Sequence, residues 1–444
     1  MVKQKIPPIV GAITPTVRCR GVTSPIQPSP KATTTSKDKS LVAILAPRVE
    51  VAALVNRAWS EGEAVLVLDP HAPESVRADL LARLTPTHFI DSTGRRALPD
   101  GIPVADEIAA VVVTSGTTAV AKGVELTTAG LESIGAGFAA ALTLTETDRS
   151  LICLPMHHVA GLAVLARARH ANNSVIVHPD FDLDAVARAP EAEGATIVSL
   201  VPTMLSRLLD AEAPLHQFRF IITGGAPLSE TLRVRAERQR VVVVDAYGLS
   251  ETWGGLVLNG RPLAGTEFMI AHSDSATVPF ELSGTTTGEI LVRGAPVMRQ
   301  YRHDSEATAA ALITDFDTGS TWLHTGDVGA LTADNRLVIV DRLGDFIISG
   351  GVNISPTAVE GALAQHPEVA DIAVGGRPDP EWGERVVAYV VPRRADNPPT
   401  LNELQAFARR RLAAAHLPRE LVLGSAIPRT AGGKIIRRDL ARLS

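Results

Sequence analysis

Cysteine is nearly absent: Cys19 and Cys153 are the only two in 444 residues. Two thiols build neither a disulfide framework nor a tetrahedral zinc site, so reduced, cytoplasmic chemistry is the expectation. A dominant charge of one sign is also missing. Lys and Arg number 43 against 48 Asp and Glu, a net of −5, which leaves no basic excess for nucleic-acid binding. No apolar run approaches the ~18 residues of a membrane helix. Neither a nucleic acid nor a membrane is therefore an expected partner. The opening MVKQKIPPIVGAI carries two lysines and a short apolar run, but prolines break the run and no clear cleavage site follows, which argues against a secretory signal. Internal repeats and long low-complexity tracts are lacking too. What is present is ordinary: 45% hydrophobic and 20% charged residues, the texture of a folded globular protein, with length for about two to three domains.

Residues 1–40 are rich in Pro, Ser, Thr and Lys and read as an irregular arm. From residue 41 onward, short apolar, β-branched runs recur at 41–45, 64–68, 109–114, 151–154, 174–178, 196–201, 219–223 and 241–246. Runs without alternation suit strands covered on both faces of a parallel sheet. Amphipathic helices are expected between them, at 50–61, 74–84, 127–141, 159–169, 183–190, 202–210 and 228–239. After about residue 257 the chain turns Gly-rich, with strands at 288–294 and 336–342, which suggests an antiparallel or barrel-like part. A boundary follows at Arg342-Leu343-Gly344-Asp345, and beyond it come a helix at 356–365, strands at 369–374 and 385–392, and a helix at 401–414. The expected fold is α/β and α+β. A large N-terminal domain (1–343) combines doubly wound mixed sheets with the barrel-like part, and a small mobile α+β domain (344–444) follows.

Several segments carry chemistry. Thr114-Ser115-Gly116-Thr117-Thr118-Ala119-Val120-Ala121-Lys122-Gly123 ends a strand, and its small residues and lysine suit a phosphate cradle leading into a helix. It is not a Walker A loop, because Ala121 and Gly123 flank the lysine. In Asp245-Ala246-Tyr247-Gly248-Leu249-Ser250-Glu251, a buried strand delivers an aromatic ring and a carboxylate to its carboxyl end. Tyr247 can stack on a base and Glu251 can hold Mg²⁺; a packed tyrosine and a solvated glutamate are the bland alternative. Asp327, in His324-Thr-Gly-Asp, can accept ribose hydroxyls. Lys434, on the Gly-rich PRTAGGK loop, can reach into another domain's cleft, or be a surface tail.

Jointly, TSGTTAVAKG, LPMHHVAG, YGLSE, HTGD, DRLGD and PRTAGGK resemble the adenylate-forming superfamily of acyl- and aryl-CoA synthetases, peptide-synthetase adenylation domains and firefly-type luciferases. The likeness runs from about residue 41 to the end. The doubled histidine followed by VAGL is most similar to o-succinylbenzoate-CoA ligases, and GGAPL and PDPEWGE suit CoA ligases. The resemblance implies two half-reactions: ATP and a carboxylic acid give an acyl-AMP and pyrophosphate, then a thiol releases AMP. It implies that Thr114, Ser115, Gly116, Thr117, Thr118 and Lys122 contact the β/γ-phosphates, that Glu251 holds Mg²⁺, and that Tyr247 packs on adenine. Asp327 and Arg342 would hold the ribose. Gly225, Ala226, Asp245, Ala246, Gly248 and Ser250 would line the nucleotide side. Lys434 would bridge the carboxylate and the α-phosphoryl group. His157 or His158 would border the acyl pocket and thiol entry, and the Ser349-Gly350-Gly351 loop would line the thiol channel once the small domain has pivoted about Gly344. Arg342 pairing with Asp341 or Asp345, and Asp245 capping its strand end, are the structural alternatives. ATP or AMP, Mg²⁺ and coenzyme A are the implied cofactors and co-substrates.

The chain departs from the family at Ala119, where glycine is usual, and at Ala121, where proline is usual. A Cβ costs about 1 kcal/mol or more where φ must be positive, and both changes bear on the β/γ-phosphates, not on AMP. Gly344 and Val352 also replace more usual side chains. The stretch ahead of the phosphate loop is short for the family, which implies a more open acyl pocket. A two-step acyl-CoA ligase for a bulky apolar carboxylic acid is the leading expectation. The alternatives are a ligase acting on acyl-AMP from a separate adenylating enzyme, loading of an acyl-carrier protein, and a non-catalytic nucleotide-binding relative.

Overall fold

The computed structural model describes residues 38–114, 121–271, 287–315, 319–430 and 433–443. The unbroken apolar runs become two seven-stranded sheets. In the first, Leu41–Ile44 lies parallel between Ala64–Val67 and His88–Asp91, and every residue of Leu41–Ile44 and Ala64–Val67 is buried. Its outer strand Gly94–Ala97 is wholly exposed and carries two arginines, which protects the edge against further pairing. In the second sheet, Ser174–Val177, Arg149–Ile152, Ile197–Leu200, Phe220–Thr223 and Val243–Tyr247 run parallel. The helices Val159–Ala171, Leu183–Glu193, Pro202–Asp210 and Glu230–Arg238 intervene along the chain. This arrangement gathers the strands' carboxyl ends on one edge, where open α/β sheets keep their sites.

An antiparallel sheet follows, ordered Thr266–Ala271, Thr287–Gly294, Thr321–Leu331 and Leu312–Thr314, with Leu337–Arg342 paired to the long Thr321–Leu331 strand. The C-terminal sheet is built on Val369–Asp379 and Gly383–Pro392 and packs its own core of Ile347, Ile354, Val359, Leu363, Val374, Val386 and Leu404.

Four local expectations are corrected. Lys39, inside the expected irregular arm, belongs to the strand Asp38–Lys39, which pairs with Val104–Ala105. The phosphate loop does not open a helix: it joins Ile108–Thr114 to the antiparallel strand Lys122–Thr127, and the helix begins only at Thr128. That strand hides behind polar residues, because Glu125 is buried and paired with Arg302 at 3.0 Å. The helix expected over 401–414 stops at Ala408. There the Ala408 carbonyl accepts from Arg411 and Leu412 N–H, and Leu412 docks on the C-terminal core. The strand expected at 369–374 runs on to Asp379 and pairs with one starting at Gly383.

Candidate active site

The carboxyl end of Val243–Tyr247 is the centre of the site. Gly248 follows at once, and a Cβ there would stand 2.6 Å from the Gly254 carbonyl oxygen, so the turn accepts only glycine. The Tyr247 hydroxyl donates to Asp327 Oδ2 at 2.9 Å, across 80 residues of sequence. Asp327 and Arg342 are cross-strand neighbours, and Arg342 Nε lies 2.9 Å from Asp327 Oδ1. Burial raises the Asp327 pKa, and Arg342 and the tyrosine hydroxyl oppose the rise. Arg342 therefore pairs with Asp327, not with Asp341 or Asp345. Asp341 instead accepts from the Ser355 hydroxyl at 2.6 Å and from Thr357 N–H at 3.0 Å, which ties the large unit to the first helix of the small one. Asp345 accepts from Arg437 at 3.3 Å.

Lys434 joins this centre. Its surface reaches solvent, but the surrounding walls lower its pKa, by desolvation first and by Arg342 second, while Asp327, Glu251 and Asp345 pull the other way. The loop is seated by Gly433, whose φ is +81° and where a Cβ would stand 3.2 Å from Val201 Cγ2. The positive φ favours glycine there, and a Cβ would press on the Val201 side chain.

The phosphate-loop candidates are divided. Thr114 and Lys122 face each other across the two strands, whereas Ser115, Gly116, Thr117 and Thr118 lie outside the described residues. The Lys122 ammonium lies 4.8 Å from the centroid of the Tyr301 ring, and the Tyr301 hydroxyl donates to Glu251 Oε1 at 2.8 Å. Among the described residues no cluster of three or more His, Cys, Asp or Glu could hold a metal. One carboxylate with a second oxygen left over fits Mg²⁺ carried in on nucleotide phosphates, since that ion keeps several waters and takes only one or two carboxylates.

Asp245 faces away, with Arg233 at 3.5 Å; burial raises its pKa, and its backbone N–H and carbonyl are held by Asn259. Its side chain meets Arg233 and its backbone meets Asn259. Ala246 and Ser250 flank Tyr247 on the same segment, and a Cβ on Gly224 would stand 3.0 Å from the Ala246 carbonyl oxygen. Gly225 (φ +81°) and Ala226 turn at the end of the neighbouring strand.

His157 and His158 precede the helix Val159–Ala171, with ring centroids 4.4 Å apart. Burial first and His158 second hold His157 down to about 4, and burial lowers His158 as well. Both are neutral at pH 7. His157 Nε2 stands 3.8 Å from Asp69 Oδ2. Val159 and Ala163 lie against Gly254, so the histidine segment and the Tyr247–Gly255 segment share one wall.

The Ser349-Gly350-Gly351 loop makes its contacts with Trp382 and Gly383. Gly350 and Gly351 have φ of +60° and +76°, Gly350 N–H donates to the Trp382 carbonyl at 2.8 Å, and Ser349 pairs with Gly383. Arg419 stacks on Trp382 at 3.8 Å.

Three residues escaped the sequence reading: Asp69, Tyr301 and Arg167. Arg167 is buried, donates to the Ser199 hydroxyl at 2.7 Å and lies 4.6 Å from the Phe138 ring centroid. Burial lowers its pKa to about 10, so it is cationic at pH 7, and no carboxylate pairs with it among the described residues. A Cβ on Gly255 would stand 3.0 Å from Phe138 Cζ, which puts this cation behind the shared wall. The signal available was an arginine in phase with Ala163 and Val164 on a buried helix face.

A carboxylate–arginine pair, a second carboxylate and a lysine thus lie around one strand end. The family model described as AMP-binding enzyme matches residues 19–302, and that of the AMP-binding enzyme C-terminal domain matches 358–434. The chain belongs to this family, the adenylate-forming superfamily, and is an AMP-forming acid–thiol ligase. It is 36% identical to a 2-succinylbenzoate–CoA ligase of Bacillus velezensis over 358 residues, 78% of this chain and 71% of that one. The corresponding ligase of Bacillus subtilis is 33% identical over 348 residues, 76% and 69% of the two chains. Among solved structures, o-succinylbenzoate CoA synthetase from Bacillus subtilis with the acyl-adenylate OSB-AMP matches with TM-score 0.77 and 29% identity, covering 91% of this chain and 88% of that one. The same enzyme has been solved with ATP and a magnesium ion. ATP-bound MatB from Rhodopseudomonas palustris, at 23% identity and TM-score 0.78, covering 92% and 89%, shares the fold. Among the described residues no helix is long and apolar enough to cross a membrane.

Proposed function

We propose that this chain condenses a bulky, largely apolar carboxylic acid with ATP to an acyl-AMP and passes the acyl group to coenzyme A. In the first step an acid oxygen attacks the α-phosphorus and pyrophosphate leaves. In the second the thiol sulfur attacks the acyl carbon and AMP leaves with the bonding electrons. Lys434 neutralises charge shared between the acid and the α-phosphoryl oxygens, where preorganised cations do most for the transition state. Asp327 accepts ribose hydroxyls while Arg342 and Tyr247 hold its carboxylate in place. Lys122 and Thr114 serve the outer phosphates. Glu251 would hold Mg²⁺, which neutralises phosphate charge. The neutral histidines border the acyl group. The observation that carries this reading is that Lys434, on a loop seated against Val201 by Gly433, lies within electrostatic reach of Asp327, Arg342 and Glu251. It favours a working first step over a ligase that only consumes preformed adenylate. So does the hold on the altered loop: Arg83 donates to the Ala121 carbonyl at 2.9 Å, a tether that offsets the missing proline. Gly344 serves as the hinge between units 1–343 and 344–444, because glycine has the widest backbone freedom.

The acid itself carries a second anionic group, whose charge the buried Arg167 cation offsets from behind the shared wall. This refines the apolar acid expected from the sequence, and the similarity to 2-succinylbenzoate–CoA ligases supports it. The test offers aryl acids with and without a second carboxylate, each with ATP, Mg²⁺ and coenzyme A, and in parallel as synthetic adenylates. The dicarboxylic acid is expected to be preferred. Arg167→Met should lower its kcat/KM about 10–100-fold with the monocarboxylic acid little changed. Stability should hold, because a buried charge replaced by an apolar side chain of similar volume is well tolerated. Equal loss on both acids would contradict the assignment. Turnover of adenylates alone would favour the adenylate-consuming alternative, and transfer to an acyl-carrier protein but not to coenzyme A would change the acceptor.

A further inference from the structure

The short strand Gln300–Tyr301 pairs antiparallel with Lys122–Thr127, with Gln300 opposite Glu125 and Tyr301 opposite Val124. Side chains alternate across a strand, so the two sides of this segment do different work. On one, Gln300 Nε2 donates to Glu125 Oε2 at 2.8 Å and Arg302 donates to Glu125 Oε1 at 3.0 Å. Those contacts, with Arg302 N–H on the Gly123 carbonyl at 2.7 Å, hold the segment in register without help from the tyrosine. On the other, Tyr301 shares a sheet face with Lys122, two residues from its partner Val124. Its ring takes the Lys122 ammonium at 4.8 Å and its hydroxyl takes Glu251 Oε1 at 2.8 Å.

We propose that Tyr301 is a positioning residue: it occupies one oxygen of Glu251 so that the carboxylate meets the metal through a single oxygen, and it seats Lys122 beside the same phosphates. This rests on the ligase reading above. Mg²⁺ demands near-octahedral geometry and suits one-oxygen carboxylate ligation, whereas Ca²⁺ accepts both oxygens of a carboxylate in a looser shell. By holding Oε1, the phenol biases the site towards the smaller ion. The ring contributes separately, as a cation–π platform that needs no hydroxyl.

Tyr301→Phe removes the hydroxyl and keeps the ring; Tyr301→Leu removes both. The full-length protein with ATP is titrated with Mg²⁺, Mn²⁺ and Ca²⁺, and binding is read directly, by Mn²⁺ paramagnetic resonance with Mg²⁺ and Ca²⁺ as competitors. Thermal melting follows folding. Tyr301→Phe is expected to weaken Mg²⁺ binding about tenfold while Ca²⁺ holds or tightens, at an unchanged melting temperature. Tyr301→Leu should in addition weaken ATP binding measured without metal. If Tyr301→Phe keeps the wild-type metal order and affinities within about twofold while the wild type binds Mg²⁺ and ATP normally, the positioning role is wrong and the ligase reading stands. If the wild type binds no metal with ATP, both are wrong.

Discussion

Replacing Lys434 with alanine is expected to slow acyl-AMP formation from acid and ATP by about 10²–10³-fold. Thioester formation from a synthetic acyl-adenylate should stay within a few-fold of the wild type. The asymmetry follows from position. The lysine lies within electrostatic reach of Asp327, Arg342 and Glu251, whereas the Ser349-Gly350-Gly351 loop sits against Trp382 and Gly383. The pH profile adds a second mark. The ammonium is the working form, and the cleft lowers its pKa from the ordinary 10.5. The first step should therefore fade as pH rises through a value below 10.5, and Lys434→Arg, which keeps its charge, should lack that alkaline limb. Equal losses in both half-reactions for Lys434→Ala would contradict the assignment.

The largest effect on stability is expected at Glu125, on the strand that follows the phosphate loop. Its carboxylate and the Arg302 guanidinium are each 3% exposed. Arg302 also donates to the carbonyls of Leu84 at 2.7 Å and Ile102 at 2.5 Å, so it cannot swing out to water. Glu125→Ala strands that charge and should cost about 3–5 kcal/mol. Hydrogen exchange should rise first in residues 108–114 and 122–127, the strands flanking the phosphate loop. The double variant Glu125→Leu/Arg302→Met should recover most of the loss, because removing both charges leaves neither unpaired. No recovery would mean that the pair does more than neutralise itself.

The contrast between those sites shows what the sequence could convey. The parallel strands were legible because strands covered on both faces read as unbroken β-branched runs, as in Leu41–Ile44 and Ala64–Val67. The strand Lys122–Thr127 was not, because KGVELT reads as a polar exit from a loop. Partners 175 and 177 residues away, Gln300 and Arg302, explain a buried Glu125. Tyr247, Glu251, Asp327 and Lys434 were named from their segments, Arg342 through family resemblance, and Tyr247 and Glu251 share one segment while the others each lie on their own. Spacing alone does not announce that Tyr247 bonds Asp327, or that Lys434 sits beside both. Tyr301 lies in a strand of two residues, too short for any periodicity. Arg167 stands on a helix whose other inward residues are apolar, and its partners Ser199 and Phe138 come from two further elements. Both depend on contacts that exist only in the folded chain.

The central claim is that this chain makes an acyl-adenylate by attack of the acid on the α-phosphorus. The most direct measurement supplies an acid labelled with ¹⁸O in the reacting carboxylate, together with ATP, Mg²⁺ and coenzyme A, and follows the products by mass spectrometry. The account predicts one ¹⁸O in AMP and one retained in the acyl-CoA. Label in pyrophosphate or orthophosphate, with AMP unlabelled, would contradict it.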